Sequence, residues 1–167
     1  MICFTERGAW VCRRLFHKLK ETGEECEAII PKRFLREEWK KEGLKEREEE
    51  FLSQWTGKMF AEKRAMIFVS ATGIAVRAIA PWIRDKMTDP PVVTVDEGAQ
   101  FVIPLLSGHV GGANGLARRI AEWLRSTPVI TTATDVNGKF AVDLFASVYH
   151  MVITDRKEAK NISAAVL

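Results

Sequence analysis

No apolar run in the 167-residue sequence reaches the length a membrane-crossing helix needs, so a chain threaded through a bilayer is not expected. Met1 leads directly into Ile2-Cys3-Phe4, with no basic segment ahead of a long apolar one, which argues against a secretory leader. Cysteine is scarce. Cys3, Cys12 and Cys26 form neither a CxxC pair nor a Cys/His zinc spacing, so no structural metal is expected. Free thiols of this kind fit a reducing, cytoplasmic setting. Net charge is also low, at +3, and does not by itself imply a nucleic-acid partner. Neither GxGxxG nor GxxxxGK[ST] occurs. A dinucleotide site is therefore poorly supported, and a P-loop is excluded by pattern.

What the chain does have is apolar residues, close to half of its length, which argues against disorder. Its length suits one domain with a real core, or one domain plus a fragment of a second. Ile2-Cys3-Phe4-Thr5 reads as a short buried strand. Residues 6–19 carry Trp10, Val11, Leu15, Phe16 and Leu19 at helical spacing, and Gly23 ends the helix. Cys26-Glu27-Ala28-Ile29-Ile30 is the next strand. Residues 34–64 mix Lys, Arg and Glu with spaced aromatics and read as two solvated helical pieces broken near Gly43.

Ala65-Met66-Ile67-Phe68-Val69-Ser70 is apolar almost throughout, as a strand covered on both faces should be. A helix through Ile74, Val76 and Ile79 follows and stops at Pro81. Val92-Val93-Thr94-Val95 and Phe101-Val102-Ile103-Pro104-Leu105 are two further strands, which could pair as a hairpin. Residues 113–125 form an amphipathic helix, Pro128-Val129-Ile130-Thr131 a last strand, and residues 142–149 a helix. Strands alternating with helices predict an α/β, Rossmann-like layered domain with a mostly parallel sheet flanked by helices. Residues 1–150 would make that domain. Residues 151–167 do not complete a unit and read as the start of a linker or central segment.

Leu106-Ser107-Gly108-His109-Val110-Gly111-Gly112-Ala113-Asn114-Gly115 stands out. Glycine carries a folding entropy cost and suits positive φ or close approach, and a strand, glycine-rich loop and helix start can present backbone N–H groups to an anion. Were the sheet parallel throughout, loops after four strands would gather at its carboxyl edge, where open sheets bind ligands. These are Ser70 to Gly73, Asp96-Glu97-Gly98, Ser107-Gly108-His109, and Thr131 to Asp135. His109 is either a loop hydrogen-bonder or a general acid or base. Asp135 is either an N-cap or a base. Thr131, Thr132 and Thr134 cap a turn or bind carboxylates. Asp96 and Glu97 are turn residues or site residues, and Arg77 reaches an anion or a surface ion pair. His17 and His150 read as structural or exposed.

Phe68 to Pro81, Lys86, Asp89-Pro90, Asp96-Glu97, Leu105 to His109, Gly111 to Asn114 and Ile130 to Asp135, taken in order, resemble the N-terminal region of the CbiG family of cobalamin biosynthesis. The resemblance runs from about Ala65 to Asp143; the first sixty residues agree in layout only. It implies a cobalt-precorrin-5A hydrolase, or the N-terminal portion of one. Such an enzyme opens the lactone of a cobalt-chelated tetrapyrrole and releases acetaldehyde. His109 and Asp135 are then the catalytic candidates. Thr72, Gly73, Arg77, Asp96, Glu97, Ser107, Gly108, Gly111, Gly112, Asn114, Thr131, Thr132 and Thr134 are candidates for holding a polycarboxylate substrate, with loop N–H groups near Gly111 and Gly112 as oxyanion donors. No cofactor is implied, since cobalt arrives within the substrate. A tetrapyrrole-binding module inactive on its own, and a generic anion- or nucleotide-binding domain, remain alternatives. A homodimer, and contact of residues 34–64 with a neighbouring pathway enzyme, stay open.

Overall fold

The computed structural model describes residues 1–48, 51–138, 142, 145, 146, 149 and 151–165. Seven strands form one sheet: β1 (Ile2–Cys3), β2 (Ile29–Pro31), β3 (Lys45–Arg47), β4 (Met66–Val69), β5 (Val92–Val95), β6 (Phe101–Leu106) and β7 (Thr127–Pro128). Their order across the sheet is β3-β2-β1-β4-β5-β6-β7. The first five run parallel. The helices are α1 (Glu6–Glu21), α2 (Glu37–Glu42), α3 (Phe51–Ala61), α4 (Thr72–Ile79), α5 (Ala113–Leu124), α6 (Ala133–Val136) and α7 (Arg156–Ala165). The helix expected over residues 142–149 falls largely outside the described residues, as does His150.

Period-two alternation along the strands divides the core between the two faces of the sheet. Cys3, Ile30, Ile67, Val69, Val93, Val95 and Val102 pack with α1 and α5. Ile2, Ile29, Met66, Phe68 and Val92 pack with α3 and α4 on the other face. Phe68 is fully buried there, edge-on to Trp55 with ring centroids 5.5 Å apart. Burial of such a side chain contributes about 1.5–3 kcal/mol. The α1 helix starts where Thr5, in extended conformation, accepts the Gly8 N–H on its side-chain oxygen at 3.1 Å. Gly8 lets α1 approach the sheet: a Cβ there would meet Cys3 at 3.3 Å and Val69 at 3.4 Å.

Two features depart from the sequence reading. The segment after Gly43 holds a strand, β3, where only helix was expected. Gly43 closes α2 at φ +102, and Lys45 N–H then donates to Ala28 C=O at 2.8 Å. Its Lys45-Glu46-Arg47 sequence shows no apolar alternation because it lies at the sheet edge, where charge discourages pairing with another chain.

The second departure is the failure of the four loops to converge, because the hairpin that the sequence allowed is the arrangement found. β6 runs antiparallel to β5, with Val95 opposite Val102 and Val92 opposite Leu106. The connection 96–100 is too short for a parallel crossover, which takes a dozen or more residues. β6 therefore ends level with the beginnings of β4 and β5, and β7, parallel to β6, leads the same way. The four loops do not converge on one edge. Those after β4 and β5 lie at one end of the sheet, and those after β6 and β7 at the other.

Candidate functional site

At the carboxyl end of β4 and β5 the expected residues are occupied locally. Asp96 builds the hairpin turn: its carboxylate accepts the N–H groups of Gly98 at 3.0 Å, Gln100 at 2.8 Å and Phe101 at 2.6 Å. Arg77 folds back along α4 and donates to Gly73 C=O at 3.0 Å. Thr72 opens α4, and Glu97 is an exposed turn residue beside Asp96. None of these approaches the glycine loop.

The other end of the sheet gathers Ser107, Gly108, His109, Asn114, Thr132, Thr134 and Asp135. The glycine loop there is closed by its own backbone. Gly112 N–H donates to His109 C=O at 3.0 Å, Ala113 N–H to Ser107 C=O at 3.1 Å, and Asn114 N–H to Gly108 C=O at 3.0 Å. The N–H groups at the start of α5 are thus engaged within the loop, and Gly112 has no N–H to offer an oxyanion. Gly111 and Gly112 line a separate depression of about 470 Å³ together with Glu24, Pro91 and Arg119. The glycines serve close packing. A Cβ on Gly108 would lie 2.8 Å from Asn114 Oδ1, one on Gly111 would overlap the Ser107 side chain, and Gly112 has φ +83.

Asp135 is the hub of the cluster. His109 Nε2 lies 2.7 Å from its Oδ2, which also accepts from Asn114 Nδ2 at 2.9 Å and from the Thr132 hydroxyl. Arg118 donates to Oδ1 at 2.6 Å. Asn114 and Arg118 stand four residues apart on α5 and so share one face of it. Asn114 Nδ2 also reaches Thr132 Oγ1 at 3.0 Å, and Thr134 Oγ1 lies 3.2 Å from His109 Nε2. The Asp135 side chain is only 13% exposed. Burial alone would raise its pKa. The hydrogen bonds from Arg118, Thr132 and His109 outweigh that and hold the carboxyl well below the usual carboxylate range. Such a carboxylate is a weak proton acceptor. It is suited to orienting the imidazole and stabilising the imidazolium, as the aspartate of a serine-protease triad does. Thr131 sits exposed just before the cluster.

Beside this pair lies a cleft of about 220 Å³ lined by Lys86, Ser107, Gly108, His109, Val110 and Thr132. Ser107, at φ +57, donates from its hydroxyl to Asp89 C=O at 2.8 Å, which ties the glycine loop to residues 84–89. Lys86, Val110 and Arg118 are residues here that the sequence reading did not place among its site candidates. Arg118 could have been found from its i+4 spacing to Asn114. Lys86 lies in an irregular loop, where spacing carries no such signal. His17 is structural as expected, 3.0 Å from Glu42 and alongside Arg13 in a contact between α1 and α2. Among the described residues there is no group of three or more His, Cys, Asp or Glu side chains placed to hold a metal ion, and no helix long and apolar enough to cross a membrane.

Residues 54–135 match the family described as cobalamin synthesis G, N-terminal. A cobalt-precorrin-5A hydrolase of Salmonella typhimurium is 52% identical over 100 residues, covering 60% of this chain and 28% of that protein. One from Priestia megaterium is 43% identical over 109 residues, covering 65% and 29%. Among solved structures, a protein from Sulfolobus solfataricus described as a cobalamin biosynthesis protein G homolog is similar at a TM-score of 0.54 and 26% identity, covering 99% of this chain and 44% of that one. The chain therefore spans less than a third of the length of these curated relatives. The matched segment ends on Asp135 and holds Lys86, the glycine loop and α5. Over residues 54–135 the chain belongs to the CbiG family and carries that family's N-terminal region.

Proposed function

We propose that this region supplies the acid–base half of a cobalt-precorrin-5A hydrolase, with His109 as the base and Asp135 as its orienting partner. The observation that carries the reading is the His109–Asp135 pair, buttressed by Asn114, Thr132 and Arg118 and opening on a cleft inside the family-matched segment. Opening a lactone requires water to lose a proton as it attacks the carbonyl carbon, and the departing ring oxygen to gain one. One imidazole can do both in turn. The ring carbon–oxygen bond then breaks to leave a carboxylic acid and an alcohol. Release of acetaldehyde follows when that alcohol gives up its proton and the adjacent carbon–carbon bond cleaves, its electron pair passing to the macrocycle. Cobalt enters as part of the substrate.

Coverage of less than a third of the relatives' length favours a second reading, in which this region holds substrate carboxylates and regions of the kind those relatives have beyond the match complete the site. A phosphate cradle is the weakest reading, because the N–H groups of Gly112, Ala113 and Asn114 are already engaged. The deciding experiment incubates cobalt-precorrin-5A with the chain alone and with a full-length protein in which the chain replaces the matching region of a curated relative, and assays acetaldehyde. Release by both supports a complete site in this region. Binding by the chain with release only by the full-length protein supports the holding role. No release by either overturns the hydrolase reading.

A further inference from the structure

We propose that Lys86 contacts the substrate directly: its ammonium meets the lactone carbonyl oxygen as that oxygen becomes an oxyanion, and then the carboxylate that ring opening leaves. This rests on the lactone-opening reading above. Four observations lead to it. Lys86 lines the same 220 Å³ cleft as His109 and Thr132. The other cation close to the pair, Arg118, is committed to Asp135 Oδ1, while among the described residues Lys86 has no ion-pair partner.

The loop that bears it is built to hold a position. Asp89, which is buried, accepts the N–H groups of Arg84 at 2.9 Å and Asp85 at 3.1 Å, and Asp85 Oδ1 accepts that of Met87 at 2.8 Å. Asp89 C=O receives the Ser107 hydroxyl, so the backbone segment that bears the exposed Lys86 is tied to the loop that carries His109. Finally, of the loop N–H groups near Gly111 and Gly112 expected to form an oxyanion hole, that of Gly112 donates within the loop, as do those of Ala113 and Asn114. A reaction that develops negative charge on a carbonyl oxygen needs a donor that does not turn away. Lys86 lines that cleft and brings a cationic donor that Asp135 does not already hold.

The step balances without a co-reactant other than water. Water oxygen bonds to the carbonyl carbon while its proton passes to His109. The carbonyl electron pair moves onto oxygen beside Lys86. The tetrahedral species collapses, the ring carbon–oxygen bond breaks, and the alcohol oxygen takes the proton back from His109. The new acid ionises to solvent, and its carboxylate remains opposite the ammonium.

The test compares wild type with Lys86→Met and Lys86→Arg in the full-length protein, all checked for folding by circular dichroism. Loss of an oxyanion donor lowers kcat by about 10²–10³-fold. Lys86→Met should show such a fall, with KM changed far less, and Lys86→Arg should recover part of it. A kcat for Lys86→Met within about threefold of wild type would overturn the proposal. A second arm needs no turnover: glutarate is titrated into the full-length protein while the His109 ring resonances are followed by NMR. A response in wild type that Lys86→Met abolishes supports a carboxylate site at Lys86, and no response in wild type refutes it. If wild type releases no acetaldehyde yet glutarate still acts through Lys86, the lactone reading falls and the carboxylate site stands.

Discussion

His109 Nε2 and Asp135 Oδ2 meet at 2.7 Å across the end of α5, with Asn114 of that helix joined to the same oxygen. The two residues are brought together by the reversal at β6, which delivers the glycine loop and the residues after β7 to one end of the sheet. Asp135 is held ionised by Arg118, Thr132 and His109 despite its burial, and in the proposed function the imidazole is the member of the pair that exchanges a proton.

This division of labour makes a kinetic prediction. In the full-length protein, His109→Ala and Asp135→Asn should each lower acetaldehyde release on the order of a hundredfold. Residues that act as a unit are non-additive. The double variant should therefore be little slower than the slower single one. Multiplication of the two losses would mean that the residues act separately.

The same carboxylate should shape the acid limb of stability. Asp135 has a folded-state pKa below its unfolded value, so its contribution is present above that unfolded value, about 3.9, and is lost as pH falls through the lower folded one. Thermal melts should show Asp135→Asn less stable than wild type at pH 7. The gap should narrow as pH drops below about 4. A gap that stayed constant down to pH 2 would mean that Asp135 gains nothing from its partners when ionised.

Much of this was legible in the residues, and the misses have physical reasons. The apolar runs at Met66–Val69 and Val92–Val95 announce buried parallel strands, and they are. The reversal at β6 was also readable, since the connection 96–100 cannot hold a crossover. Only a sheet parallel throughout would have grouped Thr72, Gly73, Arg77, Asp96 and Glu97 with a loop that lies at the far end of the sheet. β3 gave no pattern because Lys45, Glu46 and Arg47 form a charged edge. His109 and Asp135 stood out by residue type, but the orientation of one by the other depends on Asn114, Thr132 and Arg118, which no spacing between segments encodes.

The glycine loop yields a packing prediction. Gly108→Ala places a methyl 2.8 Å from Asn114 Oδ1, and Gly111→Ala drives one into the Ser107 side chain, with the Ser107 carbonyl oxygen at 2.8 Å. Overpacking of this kind costs about 1–3 kcal/mol, or roughly 2–4 °C of Tm per kcal/mol in a chain of this size. The penalties should differ in character. Adding Asn114→Ala to Gly108→Ala removes the atom that clashes, so the double variant should be more stable than the sum of the two single losses. Strict additivity in melting experiments would show that Gly108 is not set by Asn114. Gly111→Ala meets backbone as well as side chain and should have no such relief.

A contact far from the cleft separates stability from chemistry. Glu42 receives the Arg13 guanidinium on both oxygens at 2.7 Å, with His17 at 3.0 Å, and joins α2 to α1. The hydrogen bond from Arg13 lowers its carboxyl pKa to about 2, burial opposing and His17 assisting. The contribution therefore exists above the unfolded value near 4.3 and disappears as pH falls toward 2. The group is partly exposed, so solvent screening limits the effect to roughly 1 kcal/mol or less. Glu42→Gln should lower Tm by a few degrees at pH 7 and by almost nothing at pH 2. Acetaldehyde release by the full-length protein below the melting range should be unchanged. A fall in kcat with Tm intact would mean that the α1–α2 contact is coupled to the His109 cleft, which the separation of the two in the fold argues against.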